Sequence, residues 1–278
     1  MKRPVAILGL AILAGAGVAA AVQAPAQSPA PVDARTWIGR AAEIEAYMRS
    51  VTMLKFEDLS IGVTKPKKAH LPPGGPMPFV AWKMLPPGRY GGYWESYQNE
   101  IAAYEMDKLL GLDMVPPTVE KVYRGARGAA VMWVAPTKSF KDMGATSATG
   151  SPTPPPALVN SWTRQMVRAK MFHNLINNLD PNLTNWLVDP AWNLILIDCS
   201  RCFTPGRNMA HTLTRVDPEL WDRMKALTEA DLMPLLGKLM DRGQVRAILQ
   251  RRDRLQEIVD AAVKTHGETH VFMKDVGK

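Results

Sequence analysis

Lys83 closes the strand-like run Phe79-Val80-Ala81-Trp82, and Glu100 lies further on in a segment with a helical pattern. Period-two alternation puts Ala81 and Lys83 on one face of the strand, which directs the ammonium toward a cleft. A lysine held by a helical glutamate can grip a nucleotide phosphate: the carboxylate fixes the ammonium, and the ammonium neutralises phosphate charge. The same two residues also fit a solvated lysine at a strand end and an ordinary helix glutamate. Asp180 follows a long helical pattern, and Asn185 comes shortly after it in Asn178-Leu179-Asp180-Pro181-Asn182-Leu183-Thr184-Asn185. A loop of that length aims a carboxylate at a hydroxyl and an amide oxygen at a metal, although Asp-Pro-Asn is also a turn formula. Asp198 ends the apolar run Leu194-Ile195-Leu196-Ile197. A carboxylate there suits Mg²⁺ held between phosphates, or simply marks a strand end. Taken singly each signal is weak. Strand lysine, helix glutamate, Asp-x4-Asn, short hairpin and strand-end aspartate form one ordered set, and each falls in the local structure that a phosphotransfer site requires.

Several elements must position these residues. From Trp37 to about Leu59 the pattern is helical, with Ile38, Ile44, Tyr47 and Met48 on the apolar side. Ile61-Gly62-Val63 and Phe79 to Trp82 read as strands, separated by the basic, Pro/Gly-rich stretch Thr64 to Pro78. Glu95 to Leu110 reads as a helix that Gly111 ends. Val119 to Tyr123 and Ala129 to Val134 are strands joined by the glycine-rich turn Arg124 to Gly128. Residues 142–156 lose all apolar period, carry four prolines and read as a loop or linker. Leu158 to Asn178 is a strong helix pattern. Short strands follow at Asn185 to Val188 and Leu194 to Ile197, turning at Asp189-Pro190. The remainder is helical, with starts at Asp217-Pro218-Glu219 and at Thr228 to Asp231. Arg246, Arg251, Arg252 and Arg254 fall on the last long helix and read as a solvated face. Strands followed by helices argue for an α+β chain in two lobes.

The chain resembles atypical protein-kinase-like proteins, closest to the secretory-pathway casein kinase-like group and more distantly to HipA-type and phosphatidylinositol kinases. The resemblance is carried by FVAWK at 79–83, ESYQNEIAAYEMDKLLGLDMVPPTVEKV at 95–122, FHNLINNLDPNLTNW at 172–186 and NLILIDCSRCF at 193–203. It implies a two-lobed protein-kinase-like fold, with an N-lobe antiparallel sheet carrying one helix and a mainly helical C-lobe with a small β-hairpin. By position, Lys83 resembles the nucleotide-phosphate lysine and Glu100 its helix partner. Asp180 resembles the catalytic base, while Asn185 and Asp198 resemble the metal ligands. Ala130 to Val134 corresponds to the connection that touches adenine. ATP and Mg or Mn are the implied cofactors, and the acceptor is a hydroxyl on a protein Ser/Thr, a sugar or a lipid head group. The chain departs from the pattern in two places. Family members often carry Asp-Arg where it has Asp180-Pro181. No plain glycine-rich phosphate loop precedes Lys83, and Ile61 to Leu71, with Thr64, Lys65, Lys67 and Lys68, stands in its place.

The 278 residues are 46% hydrophobic and 22% charged, which excludes a disordered or collagen-like chain. The net charge of +8 favours anionic partners only weakly, since Lys2 and Arg3 contribute to it from a leader. That basic start, the apolar or small run Val5 to Ala21 and Val22-Gln23-Ala24 form the three-part pattern of a signal peptide over residues 1–24. A flexible spacer at 25–36 follows, then an N-lobe at 37–141, the linker and a C-lobe at 157–278. The expectation is an exported protein, periplasmic or secreted, with no membrane span after signal removal and no nucleic-acid partner. Two cysteines make neither a disulfide framework nor a four-cysteine zinc site. Cys199 and Cys202 are a redox pair, a local disulfide or two half-buried thiols. The function indicated is an exported phosphotransferase that moves the ATP γ-phosphate to a hydroxyl. The alternatives are a pseudokinase that binds without turnover, or a redox protein built on Cys199 and Cys202.

Overall fold

The computed structural model describes residues 32–59, 66–146, 150–180 and 182–274. The leader, most of the spacer, Ile61-Gly62-Val63 with the first part of the basic stretch, and Pro181 lie outside the described residues.

The first lobe is built on an antiparallel sheet in the order β1-β2-β3-β7-β6. Its strands are β1 (Lys55–Asp58), β2 (Lys67–His70), β3 (Phe79–Lys83), β6 (Thr118–Tyr123) and β7 (Ala126–Met132). The sequence points to β3, β6 and β7 but reads Lys55–Asp58 as helix and leaves Lys67–His70 inside a loop. These two strands carry charge where apolar alternation is sought. They pair with each other at the sheet edge, where Lys67 meets Asp58 at 3.0 Å and His70 meets Glu57 at 2.7 Å. Charged short strands at an edge also discourage pairing with another chain.

Alternation along β3 sends Val80 and Trp82 to one face and Ala81 and Lys83 to the other. Val80 and Trp82 share a core with Ile44 and Met48 of the helix α1 (Ala41–Ser50), an addition to the single N-lobe helix the resemblance implies. Ala81 packs with Ile101 of α2 (Tyr97–Leu110), across from Ala129 and Val131 of β7. Ser96 caps α2 by accepting from the Gln98 amide, and Gly111 ends it at φ 58°. Only glycine reaches that left-handed conformation without a Cβ penalty. A helix buried nearly all round, as α2 is, belongs between two layers. A small hairpin of β4 (Gly88–Tyr90) and β5 (Tyr93–Glu95) stands between β3 and α2. Its three-residue strands are too short for a period to show.

The second lobe is mainly helical. It contains α3 (Val159–Ile176), α4 (Pro218–Ala226), α5 (Glu229–Leu236), α6 (Arg242–His266) and the short α7 (Glu268–Val271). The starts read at Asp217 and Thr228 are real N-caps, and Asp241 caps α6 with a capping box. The expected hairpin is β9 (Trp186–Val188) and β10 (Leu194–Leu196), and β8 (Lys138–Ser139) adds a third strand. Since β8 pairs with β9, Lys138 and Ser139 belong to the sheet of the hairpin. The arginines of α6 are not one solvated face. Arg251 is fully buried, and its Nε donates to the Leu175 carbonyl at 2.8 Å while Nη1 reaches the carbonyls of Thr204 and Gly206.

Candidate active site

Three of the singled-out residues meet directly. Lys83 Nζ lies 2.6 Å from Glu100 Oε1 and 2.8 Å from Asp198 Oδ1. The strand supplies the lysine, α2 the glutamate, and the chain just past β10 the aspartate, so the trio joins both lobes. The ends of the trio differ in access: the Glu100 side chain is 4% exposed and that of Asp198 is 29% exposed. Burial opposes the charge on Lys83, but Asp198 and Glu100 together outweigh it and raise its pKa. Burial pushes the Glu100 carboxyl up despite the ammonium beside it. Burial also opposes ionisation of Asp198, yet Lys83, aided by Arg201, holds that carboxyl below the usual range. Asp198 is therefore the ionised group that faces the cleft. It sits at φ 62°, a left-handed conformation uncommon outside glycine.

Asn185 is placed beside Asp198 by the hairpin. The ladder runs one step past Trp186 and Leu196, and the Ile197 amide donates to the Asn185 carbonyl at 3.0 Å. The Asn185 side chain is buried, its Nδ2 has no partner, and its Oδ1 receives only Thr184 Oγ1 at 3.4 Å. The ladder brings the Asn185 backbone to the residue before the ionised Asp198, and the Asn185 amide has one uncommitted end; turned, it offers with that carboxylate an oxygen-only donor set, which suits a hard divalent cation. Among the described residues no cluster of three His, Cys, Asp or Glu forms a metal cage. Two protein oxygens fit a Mg²⁺ or Mn²⁺ whose other ligands are phosphates and water.

Asp180 joins this group through Arg201. Its Oδ1 accepts from the Asn182 amide at 3.0 Å, and its Oδ2 lies 4.0 Å from Arg201 Nη1. The loop is also tied from behind. Asp180 N donates to Asn178 Oδ1 at 3.2 Å, Asn178 Nδ2 lies 3.3 Å from His173 Nε2, and His173 Nδ1 lies 3.2 Å from His211 Nε2.

The loop after Asp198 contains a disulfide between Cys199 and Cys202, with both residues buried. The two residues are joined and are not free thiols. The Cys199 amide donates to Glu100 Oε2 at 3.0 Å, and Asn99 Nδ2 donates to the carbonyls of Ser200 and Cys202. Of the expected basic stand-in for a phosphate loop, Lys67 pairs with Asp58, and Lys68 Nζ lies 3.9 Å from the Phe79 ring centroid.

Sequence reasoning missed Asn99, Asn178, Arg201 and Glu95. For Arg201 a signal was present, since it is a lone charge between two cysteines directly after a candidate metal ligand. For the others the signal is tertiary only.

Comparison with solved structures finds the same arrangement of lobes. The chain has an atypical protein-kinase-like fold. A hydra Fam20 structure with sugar superposes with a TM-score of 0.63 at 14% identity, covering 85% of this chain and 93% of that one. The Golgi casein kinase gives 0.62 at 12% identity over 84% and 79% of the two chains, and that kinase has also been solved with Mn/ADP bound. The Helicobacter pylori proinflammatory kinase CtkA gives 0.53 at 11% identity, over 78% and 96%. No protein-family model matches the chain, and no curated protein is similar at a significant level.

Proposed function

We propose that the chain is an exported kinase-like phosphotransferase that uses ATP and Mg or Mn to phosphorylate a hydroxyl. The observation that carries this reading is the ion trio, in which one buried lysine spans Glu100 at 2.6 Å and the cleft-facing Asp198 at 2.8 Å. Lys83 holds nucleotide phosphates, and Glu100 fixes the ammonium. Asp198 and Asn185 hold the cation, which when bound neutralises phosphate charge. Asp180 orients the acceptor hydroxyl and takes its proton. The acceptor oxygen bonds to the γ-phosphorus as the bond to the β,γ-bridging oxygen breaks, and ADP leaves with that electron pair. The sugar-bound Fam20 and the casein kinase among the structural neighbours support sugar or protein hydroxyls as acceptors, and a lipid head group offers the same chemistry. Nucleic acid has no part in this reading. Export rests on Lys2, Arg3 and the apolar run after them, with the periplasm or the exterior as destination. Among the described residues no helix is long and apolar enough to cross a membrane.

The second reading is a pseudokinase, favoured by proline at 181 where related kinases often carry arginine. Calorimetry with ATP, with and without Mg²⁺ or Mn²⁺, together with an ATP turnover assay, separates the two. Metal-dependent binding with turnover is expected. Binding without turnover would favour the pseudokinase, which holds a nucleotide or a partner, and absence of metal-dependent binding would sink the phosphotransferase.

A further inference from the structure

Arg201 is held more tightly than a surface arginine needs to be. Its Nε and Nη2 both reach Glu95 Oε1, at 3.1 and 3.0 Å, and its guanidinium lies over the Tyr93 ring at 4.4 Å. Glu95 is fully buried, and its second oxygen is taken by Ser200 Oγ at 3.0 Å. A guanidinium and a carboxylate frequently pair as a fork that engages both oxygens. Here one oxygen is left to a serine, and Nη1 is turned toward Asp180, 4.0 Å from Oδ2. The backbone on both sides of Arg201 is pinned by Asn99 and closed by the Cys199–Cys202 bridge. The loop of Asp180 contains no cation of its own, since Pro181, Asn182, Leu183 and Thr184 follow it.

Building on the phosphotransfer reading, we propose that Arg201 contacts the phosphoryl group during transfer and supplies the positive charge that the Asp180 loop lacks. Negative charge spreads over the three γ-oxygens as the bond to the bridging oxygen breaks, and a fixed cation beside the acceptor stabilises that state more than the bound nucleotide. Arg201 exchanges no proton, because the acceptor proton goes to Asp180. Glu95, Tyr93 and the disulfide loop position the guanidinium and do not touch the nucleotide.

The rival is a purely structural Arg201 that neutralises Glu95. Arg201→Ala, Glu95→Gln and the double variant separate the two. The probes are MgADP, MgADP with aluminium fluoride as a mimic of the transferring group, ATP turnover and thermal melting. Arg201→Ala is expected to bind MgADP within about 3-fold of wild type while its fluoride-complex affinity and turnover fall by about 10²–10³. It also melts earlier, because Glu95 is left buried and unpaired. The double variant is expected to recover the melting temperature but neither the fluoride complex nor turnover. Recovery of all three would reduce Arg201 to a counter-ion and overturn the proposal, as would an unchanged fluoride complex in Arg201→Ala. Wild type that binds neither MgADP nor MgATP would instead defeat the phosphotransfer reading, and this inference with it.

Discussion

The roles of the site residues separate at the level of single substitutions. Asp180→Asn keeps the turn, because the amide oxygen still accepts from Asn182, but it removes the group that takes the acceptor proton. MgATP affinity is expected within about 3-fold of wild type, with transfer slower by about 10²–10⁴. Asp198→Asn keeps a residue that tolerates φ 62° and leaves Lys83 its bond to Glu100. Its expected defect is the loss of the metal-dependent part of ATP binding, read as equal affinity with and without Mg²⁺. Lys83→Ala differs in kind. It strands two carboxylates, one of them buried, and breaking such a pair costs about 3–5 kcal/mol. Lys83→Met with Glu100→Gln leaves no stranded buried charge in the second position and is the fair test of the phosphate contact. That double variant should fold and should lose both binding and transfer, since the contact serves ground and transition state alike. Normal MgATP binding by it would remove Lys83 from the site.

At the scale of elements, the loop from Asp198 to Cys202 is held from α2 more than by its own bridge. The Cys199 amide bonds Glu100, Ser96 N donates to the Ser200 carbonyl at 3.0 Å, and Asn99 takes two carbonyls. Serine at both cysteines preserves every one of these bonds. The double variant Cys199→Ser, Cys202→Ser is therefore expected to bind MgATP within a few-fold of wild type. Its unfolding free energy should fall by about 2 kcal/mol, as the chain entropy of so short a closed loop implies. Urea melts and calorimetry measure the two, and collapse of binding would make the bridge part of the site itself. The elements that carry the site were readable because their signals are local. α2 shows its serine cap and terminal glycine, and β3 shows an alternation that correctly sets Lys83 opposite Trp82. Charged strands such as β1 and β2 gain their stability from cross-strand pairs, which no periodicity records. Burial of Arg251, Asn99 and Glu95 depends on carbonyls and side chains distant in sequence, so their polarity misleads when the chain is read alone. Lys83, Glu100 and Asp198 were legible because strand, helix and hairpin each announce themselves. Arg201 carried only the signal of a lone charge between two cysteines, since its partners Glu95 and Tyr93 lie on a hairpin too short to show.

Over the whole molecule, the two lobes are tied by charge and by backbone. Lys83 reaches Asp198 across the cleft, and the Ala34 amide donates to Asp189 Oδ2 at 2.9 Å beside the β9–β10 turn. The helical lobe in turn rests on neutral imidazoles. His173, edge-to-face with Trp186 and bonded to Asn178, is pushed down to about 3 by burial and by His211. His211 is pushed down to about 4 by burial, with the nearby Lys170 adding to it. Both bind protons in the unfolded chain near its ordinary value of about 6.5 but not in the folded one, so their contribution is intact above that pH and is lost as pH falls toward 4. Asp107 opposes this. Burial raises it to about 7 against the Met114 and Val115 amides that favour its charge, so the folded protein holds a proton there that the unfolded chain has released. That term weakens the fold as pH rises from about 4 to about 7. Glu100, also pushed up by burial, acts with Asp107, so two imidazoles stand against two carboxyls. Urea unfolding between pH 6.5 and pH 4.5 checks this with two variants of opposite sign. His173→Gln with His211→Asn should shift the slope toward stability in acid, because the surviving terms are those of Asp107 and Glu100. Asp107→Asn should shift it toward lability in acid, because one of the two opposing terms is gone. A slope that neither variant moves would mean that acid lability, if present, comes from the surface and not from these buried groups.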